Sequence, residues 1–198
     1  MMDDEKLYAA RLHATRVRPY LAAALFALHP VESARVPTMA VDRHWRCYVS
    51  AAFVAATPVE ELAGVWVHEV SHLLRDHHGR SDRYATRNGL AGPGERLRMN
   101  IAADFEINDD AYGDGLARPA GAAHPALLNL PVGELMEEYL GRFRLGPYTQ
   151  ELAWLDCGSG ADGADGAGSG AGRRARAHRS GTRRRPVSGG ARHRRAPR

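Results

Sequence analysis

Four histidines and one glutamate crowd residues 66–80, WVHEVSHLLRDHHGR, and these side chain types can bind metal and transfer protons. Within this stretch His68, Glu69 and His72 form the pattern HExxH. Residues four apart on a helix lie on one face, so two imidazoles at this spacing can bind one zinc ion. A glutamate beside them can serve as general base for hydrolysis. The spacing therefore predicts a site for one Zn²⁺ ion with Glu69 as the catalytic residue.

A third protein ligand is needed, and two further histidines are the nearest candidates. His78 lies six residues after His72, a spacing that zinc proteases use with a glycine turning the chain out of the helix, but Arg75 occupies that position. If the helix continues to Gly79, His78 points away from the site, and His77 fails similarly. We therefore expect both to be surface histidines at a helix C-terminus, favoured there by the helix dipole.

Asp104 is the better third ligand, because it falls on the predicted core-facing stripe of a second helix. That stripe consists of Leu97, Ile101, Asp104 and Asn108. A second stripe consists of Arg98, Glu106 and Asp109, which leaves Glu106 as a weaker alternative ligand. Asn100 and Asn108 lie one turn before and one turn after Asp104, where their amides can orient the carboxylate. The predicted metal ligands are thus His68, His72 and Asp104.

The alternative is a solvated helix whose histidines bind nothing. The segment around HExxH is apolar nearly all round, which is typical of a buried helix, and buried histidines and a glutamate without a metal would be costly. Thr57 as N-cap, Pro58 at the first position and Glu60 in a capping box predict where this helix begins. Gly79 is the predicted stop.

The remaining elements are predicted from periodicity and turn residues. Residues 4–28 carry apolar residues at helical spacing, and Pro19 divides them into two helices. Two β-prone runs, 36–41 and 45–49, flank DRH and predict a hairpin. The downstream predictions are a polar loop at 80–95, a helix at 96–110, a long loop at 111–131 and a short helix at 132–143.

The net charge of +4 is the sum of two parts of the chain that have charges of opposite sign. Residues 166–198 hold 11 arginines and no acid, so the rest carries 16 basic and 23 acidic side chains. The Gly/Ala/Arg-rich composition predicts a disordered tail at 151–198 after one domain at 1–150. Arginines without interleaved aromatic residues, next to an acidic domain, make nucleic-acid binding an unexpected function.

No feature of the sequence favours a membrane or an oxidising compartment. The early apolar run YLAAALFAL has about nine residues, which is too short to span a bilayer, and it is poorly placed for a signal peptide. The two cysteines, Cys47 and Cys157, form no disulfide framework. We expect a cytoplasmic protein.

Four segments in order, RVPTMAVDRHWRCYVSAAFV, ELAGVWVHEVSHLLRDHHGR, MNIAADFEINDD and LMEEYL, resemble a bacterial metallopeptidase domain often found ahead of von Willebrand factor A-like domains. The resemblance covers about residues 15–145, and HExxH followed by N-x-A-x-D-x-x-x-N is its most specific part. It implies an α+β, zincin-like fold, mainly helical with a small β-sheet. It also implies zinc on His68, His72 and Asp104, Glu69 as catalytic residue, and a peptide or protein substrate.

Two functions remain open at the level of sequence. One is a zinc-dependent metallopeptidase, for which Tyr112, His124 and Arg80 are candidate donors to the oxyanion. The other is a catalytically silent zincin-fold binding module that acts with a partner such as an AAA-type ATPase or an A-like domain. The intact Glu69 favours the enzyme, because a structural metal site has no use for a base.

Overall fold

Helices dominate the described part of the chain, and one small sheet lies among them, so the fold is α+β. The computed structural model describes residues 1–109, 112–113, 115–119 and 121–146. The α-helices in these ranges are α1 (Asp4–Val17), α2 (Ala22–Ala27), α3 (Ala51–Ala56), α4 (Val59–Leu74), α5 (His77–Asn88), α6 (Pro93–Asn108) and α7 (Met136–Arg142). The strands are β1 (His29–Glu32), β2 (Met39–Val41) and β3 (Arg46–Val49), and 3-10 turns span Pro19–Leu21 and Pro125–Leu128.

The sheet has the order β1-β3-β2 and contains the predicted hairpin. β2 and β3 pair antiparallel, whereas β1 pairs parallel to β3. The hairpin turn has no glycine, and Trp45 instead adopts a φ of 63°. The Asp42 carboxylate organises this turn by accepting hydrogen bonds from the backbone amides of His44 and Arg46. β1 was not predicted, because all four of its residues are exposed and show no alternation.

The predicted break at Pro19 is confirmed. α1 ends at Val17, and Pro19 begins the 3-10 turn that leads into α2. α1 packs along α4, where the Arg11 guanidinium lies 4.2 Å from the centre of the Trp66 ring. Proline removes a backbone donor and cannot continue a helix, which explains why the apolar pattern of residues 4–28 divides there.

The predicted start and end of the HExxH helix are both wrong. Pro58, not Thr57, is the N-cap of α4, and the Thr57 hydroxyl instead donates to the Phe53 carbonyl at the end of α3. α4 stops at Leu74, five residues before the predicted stop at Gly79. The chain therefore leaves the helix two residues after His72, the second histidine of the motif.

A left-handed residue separates α4 from α5. Asp76 has φ 53° and ψ 42°, and its side chain accepts a hydrogen bond from the Gly79 amide at 3.2 Å. Gly79 thus lies in the first turn of α5 rather than at a helix end. Aspartate adopts this conformation more readily than most residues, and its short side chain caps the helix that follows. The predicted loop at 80–95 is wrong, because α5 continues to Asn88.

Two apolar clusters build the core of the described residues. The first joins α1, α2, the sheet and α4 and includes Trp66 and Val70. The second joins α6 and α7 and includes Phe105 and Tyr139. The facing sides of α4 and α6 carry the buried polar residues, so the candidate site lies in a polar seam between the two clusters.

The other predicted elements fall close to their expected positions. The predicted helices at 96–110 and 132–143 correspond to α6 and α7. The predicted tail at 151–198 lies outside the described residues. Within the described ranges, no helix combines the length and the apolar character that a membrane span requires.

Candidate metal centre

Helices α4 and α6 bring three buried ligand atoms to one point. His68 and His72 lie one turn apart on α4, Asp104 faces them from α6, and each is about 1% exposed. The two Nε2 atoms are 2.9 Å apart. The Asp104 Oδ1 atom lies 3.3 Å from Nε2 of His68 and 3.1 Å from Nε2 of His72. Among the described residues, this trio is a group that could hold a metal ion.

The spacing of these atoms fits a tetrahedral zinc ion. Ligands at about 2.0–2.1 Å from zinc stand about 3.3 Å apart along each edge of the tetrahedron. The three measured distances are close to such edges, so His68, His72 and Asp104 can form one face. The fourth direction would then remain for a molecule that is not part of the protein.

The charges of the trio also fit a cation. Burial lowers the pKa of His72 to about 3, so its imidazole is neutral at pH 7. Burial alone would raise the pKa of Asp104, but its interactions with the two histidines outweigh this effect and lower it to about 2. The result is an ionised carboxylate, sealed from water, whose neighbour His72 brings no compensating positive charge.

Asn108 sets the proton position on His68. The Asn108 Nδ2 atom donates to the Ala123 carbonyl at 2.7 Å, which turns Oδ1 towards His68. The His68 Nδ1 atom lies 3.0 Å from that oxygen and must be the donor, because an amide oxygen only accepts. In the neutral ring the lone pair is then on Nε2, the atom that faces the trio. The predicted partner of Asn108 is Asp104, but the Asn108 oxygen contacts His68 instead. Asn100, which is also predicted to orient Asp104, is buried and borders a cavity beside His72.

Glu69 is completely buried on the turn of α4 that carries His68. Burial raises the pKa of the Cys47 thiol, and the negative charge of Glu69 raises it further. Cys47 lies in the central strand β3, so the Glu69 carboxylate is within electrostatic range of this strand.

The expectation that His77 is a surface residue is wrong. Because α4 ends at Leu74, the chain turns at Asp76 and brings His77 back under the motif, where it is only 3% exposed. Its Nδ1 atom lies 3.0 Å from Nδ1 of His72, on the side of that ring opposite the trio. His78 is partly buried and borders the cavity instead. Neither residue belongs to the group of three ligands.

Two residues of the second stripe of α6, Arg98 and Glu106, are also buried, because α7 covers them, whereas Asp109 is partly exposed. Arg98 donates to the Leu140 carbonyl at 2.7 Å, and Glu106 accepts from the Met136 amide at 2.7 Å. Burial alone would raise the pKa of Glu106, but the interaction with His77 and the hydrogen bonds from Arg80 and Met136 outweigh it and hold the pKa well below its usual range. Apolar periodicity could not reveal this second contact surface, since its residues are charged.

Each of the three candidate oxyanion donors makes a hydrogen bond or an ion pair with another residue of the protein. Arg80 is engaged with Glu106 at 2.8 Å and with Glu137 at 2.5 Å. The Tyr112 hydroxyl donates to the Gly64 carbonyl at 3.4 Å. His124 accepts from the Ala126 amide through Nδ1. Of these three candidate donors, Arg80 is therefore the one whose guanidinium group is already bound to two carboxylates.

Sequence reasoning named Arg80 only as a candidate oxyanion donor and Glu106 only as a weaker ligand, and it placed His77 on the surface, so it did not predict the network that these three residues form. A weak signal for α5 existed, because His77, Ser81 and Tyr84 recur at helical spacing. Ser81 and Tyr84 do contact the second cluster, Ser81 through its hydroxyl at 3.6 Å from Met136 Sδ. The mixed polar character of that face concealed the helix.

A cavity of about 70 Å³ connects the site to the surface. It reaches from the partly exposed ion pair of Arg43 and Asp82 to the rings of His72 and His77. Met99, Asn100 and Ala103 of α6 form another part of its wall. A ligand in this cavity would contact one of the three candidate metal ligands.

Comparison with known proteins identifies the family. The chain matches the family model described as "Putative metallopeptidase domain" over residues 3–198. No curated protein and no solved structure gives a significant match. Because the family match spans nearly the whole chain, the protein belongs to this family of metallopeptidase domains.

Proposed function

We propose that the protein is a zinc-dependent metallopeptidase that hydrolyses peptide bonds, with His68, His72 and Asp104 as metal ligands and Glu69 as general base. The observation that carries the proposal is the convergence of three buried ligand atoms at 2.9–3.3 Å. Zinc, when bound, supplies a Lewis acid that polarises a carbonyl group and lowers the pKa of water.

The residues of the chain have separate tasks in this proposal. His68 and Asn108 hold a lone pair towards the ion through the hydrogen bond at 3.0 Å. Asp104 supplies the negative charge that makes the site selective for a cation. Glu69 takes a proton from water and passes it to the leaving amine, as its place beside His68 in the motif suggests. The cavity of about 70 Å³ beside His72 gives water access to one of the proposed ligands.

The test is a Glu69→Gln variant beside wild type and a Glu60→Gln control. Glu60 lies exposed in the first turn of the same helix, so its substitution changes charge without touching the site. We expect Glu69→Gln to keep about one zinc ion per chain while losing at least about 100-fold in cleavage of a fluorogenic peptide pool. Glu60→Gln should match wild type in both measurements.

The same experiment separates the enzyme from a silent binding module. If zinc-loaded wild type and Glu69→Gln both lack peptidase activity, the silent module becomes the better explanation. If purified wild type binds no zinc at all, the proposed metal ligands are wrong.

A further inference from the structure

The ring of His72 has buried neighbours on both of its nitrogen atoms. On one side, Nε2 faces His68 and Asp104. On the other side, Nδ1 lies 3.0 Å from Nδ1 of His77. The rings of His72 and His77 meet edge to face, with centroids 5.1 Å apart and an interplanar angle of 75°. A hydrogen bond between two Nδ1 atoms needs one donor and one acceptor, so the proton on one ring decides the proton on the other.

The far side of His77 identifies which ring is the donor. Its Nε2 atom lies 3.4 Å from Oε1 of Glu106 without the geometry of a hydrogen bond, so the carboxylate acts on this atom through its negative charge. A carboxylate only accepts, so the proton of His77 is stabilised on Nε2. The Nδ1 atom of a neutral His77 then carries a lone pair, and His72 must donate through its own Nδ1–H.

Glu106 is firmly held for this purpose. Arg80 donates to both of its oxygens, at 3.0 Å to Oε1 and 2.8 Å to Oε2. The backbone amide of Met136 donates to Oε2 at 2.7 Å. Arg80 and Met136 come from α5 and α7, so two other helices fix the position of one carboxylate on α6. Glu106 is only 5% exposed, which protects this arrangement from water.

We propose that Glu106 and His77 form a positioning chain that holds His72 as the Nδ1–H tautomer and so directs its Nε2 lone pair to the metal. The inference rests on the proposed function for the identity of the bound ion. His68 is held in the same tautomer by Asn108, so each histidine ligand has its own buried partner. With both tautomers fixed, all three atoms of the trio are electron-pair donors aimed at one cation.

The proton positions can be measured directly without any mutation. Long-range ¹⁵N–¹H correlation spectra of the histidine rings distinguish the two neutral tautomers and the imidazolium form. At pH 7.5 we expect His77 to be the Nε2–H tautomer, both in metal-free and in zinc-loaded protein. An Nδ1–H tautomer or an imidazolium at His77 would overturn the proposal, because either form puts a proton where His72 must place its own.

A pair of substitutions at His77 tests the effect on metal binding. His77→Leu removes the acceptor, and we expect zinc affinity in a chelator competition to fall by about 10–100-fold. In His77→Asn the amide oxygen can occupy the place of Nδ1, so its affinity should lie closer to wild type. His44→Asn, at an exposed histidine in the hairpin turn, is the matched control and should leave the affinity unchanged.

The outcomes separate this inference from the proposed function. Equal zinc affinity in wild type and folded His77→Leu overturns the positioning chain, whether or not the protein cleaves peptides. If wild type binds no zinc, the proposed function fails, and the tautomer of His77 in metal-free protein still decides whether the positioning chain exists. If His77→Leu does not fold, the same spectra of wild type give the decision.

Discussion

Asp104 differs from the two histidines it contacts because it brings a full negative charge into a site that is almost completely buried. The two histidines alone would form a neutral pair of ligands that any soft cation could bind. The carboxylate makes the trio selective for a positive ion, but it also leaves a buried charge when no ion is bound. The three ligands therefore have unequal effects on affinity and on the stability of the metal-free protein.

The substitution Asp104→Asn should separate these effects. The amide keeps the shape of the side chain but removes its charge, so zinc content by elemental analysis should fall from about one ion per chain to well below half. His78→Ala is the control, because His78 lies outside the ligand trio, and it should keep its zinc. If Asp104→Asn keeps its zinc and His78→Ala loses it, the ligand set is wrong.

The junction between α4 and α5 shows where an element-scale pattern fails. Apolar periodicity predicts α4 well up to Leu74, because its residues pack against the sheet and α1. It does not predict the break, because one aspartate in a left-handed conformation ends one helix and caps the next. The location of His77 depends on that single residue. Apolar periodicity, which does not show the break, therefore predicts His77 on the surface.

The sequence predicts the position of the three ligands better than it predicts the network of charged residues around them. His68, His72 and Asp104 share apolar faces with residues such as Ile101, and that pattern indicates the inward direction. Arg80 and Glu106 lie inside because each compensates the other's charge. Such pairs look like solvated surface residues in a sequence, and only the packing of α7 distinguishes them.

Two glycines in helices make a matched test of the packing between elements. A Cβ atom on Gly64 of α4 would collide with the Ala117 carbonyl oxygen, which belongs to backbone and cannot easily move. Gly141 of α7 has no such neighbour within 4 Å and is exposed. We expect Gly64→Ala to lower the free energy of unfolding by about 1–3 kcal/mol. Gly141→Ala should raise it by up to about 1 kcal/mol.

Urea unfolding of both variants at one pH measures these changes. The important result is that the two changes in the free energy of unfolding have opposite signs, because helix propensity alone favours alanine at both positions. If Gly64→Ala is as stable as Gly141→Ala, the segment around Ala117 does not press on α4 in solution.

At the scale of the whole molecule, the candidate site joins two apolar clusters that are otherwise separate. His68 and His72 extend from the helix that completes the first cluster, and Asp104 extends from the helix that builds the second. A bound ion would connect these two parts through three short bonds. Without an ion, the seam contains buried ionisable groups, and the stability of the fold becomes sensitive to pH.

The metal-free protein should therefore lose stability in mild acid. The pKa of His72 is about 3 in the folded protein and about 6.5 in an unfolded chain, so between these values only the unfolded chain takes up the proton. Stability then falls as pH falls below about 6.5, by up to about 1.4 kcal/mol per pH unit for one proton. The lowered pKa of Asp104, about 2, acts in the same direction below about pH 4.

Urea unfolding in the presence of a chelator, at several values between pH 7.5 and 4.5, measures how steeply the free energy of unfolding changes with pH. His72→Gln should flatten this dependence and His44→Asn should not, whereas equal slopes in all three proteins would mean that His72 does not remain neutral in the folded state.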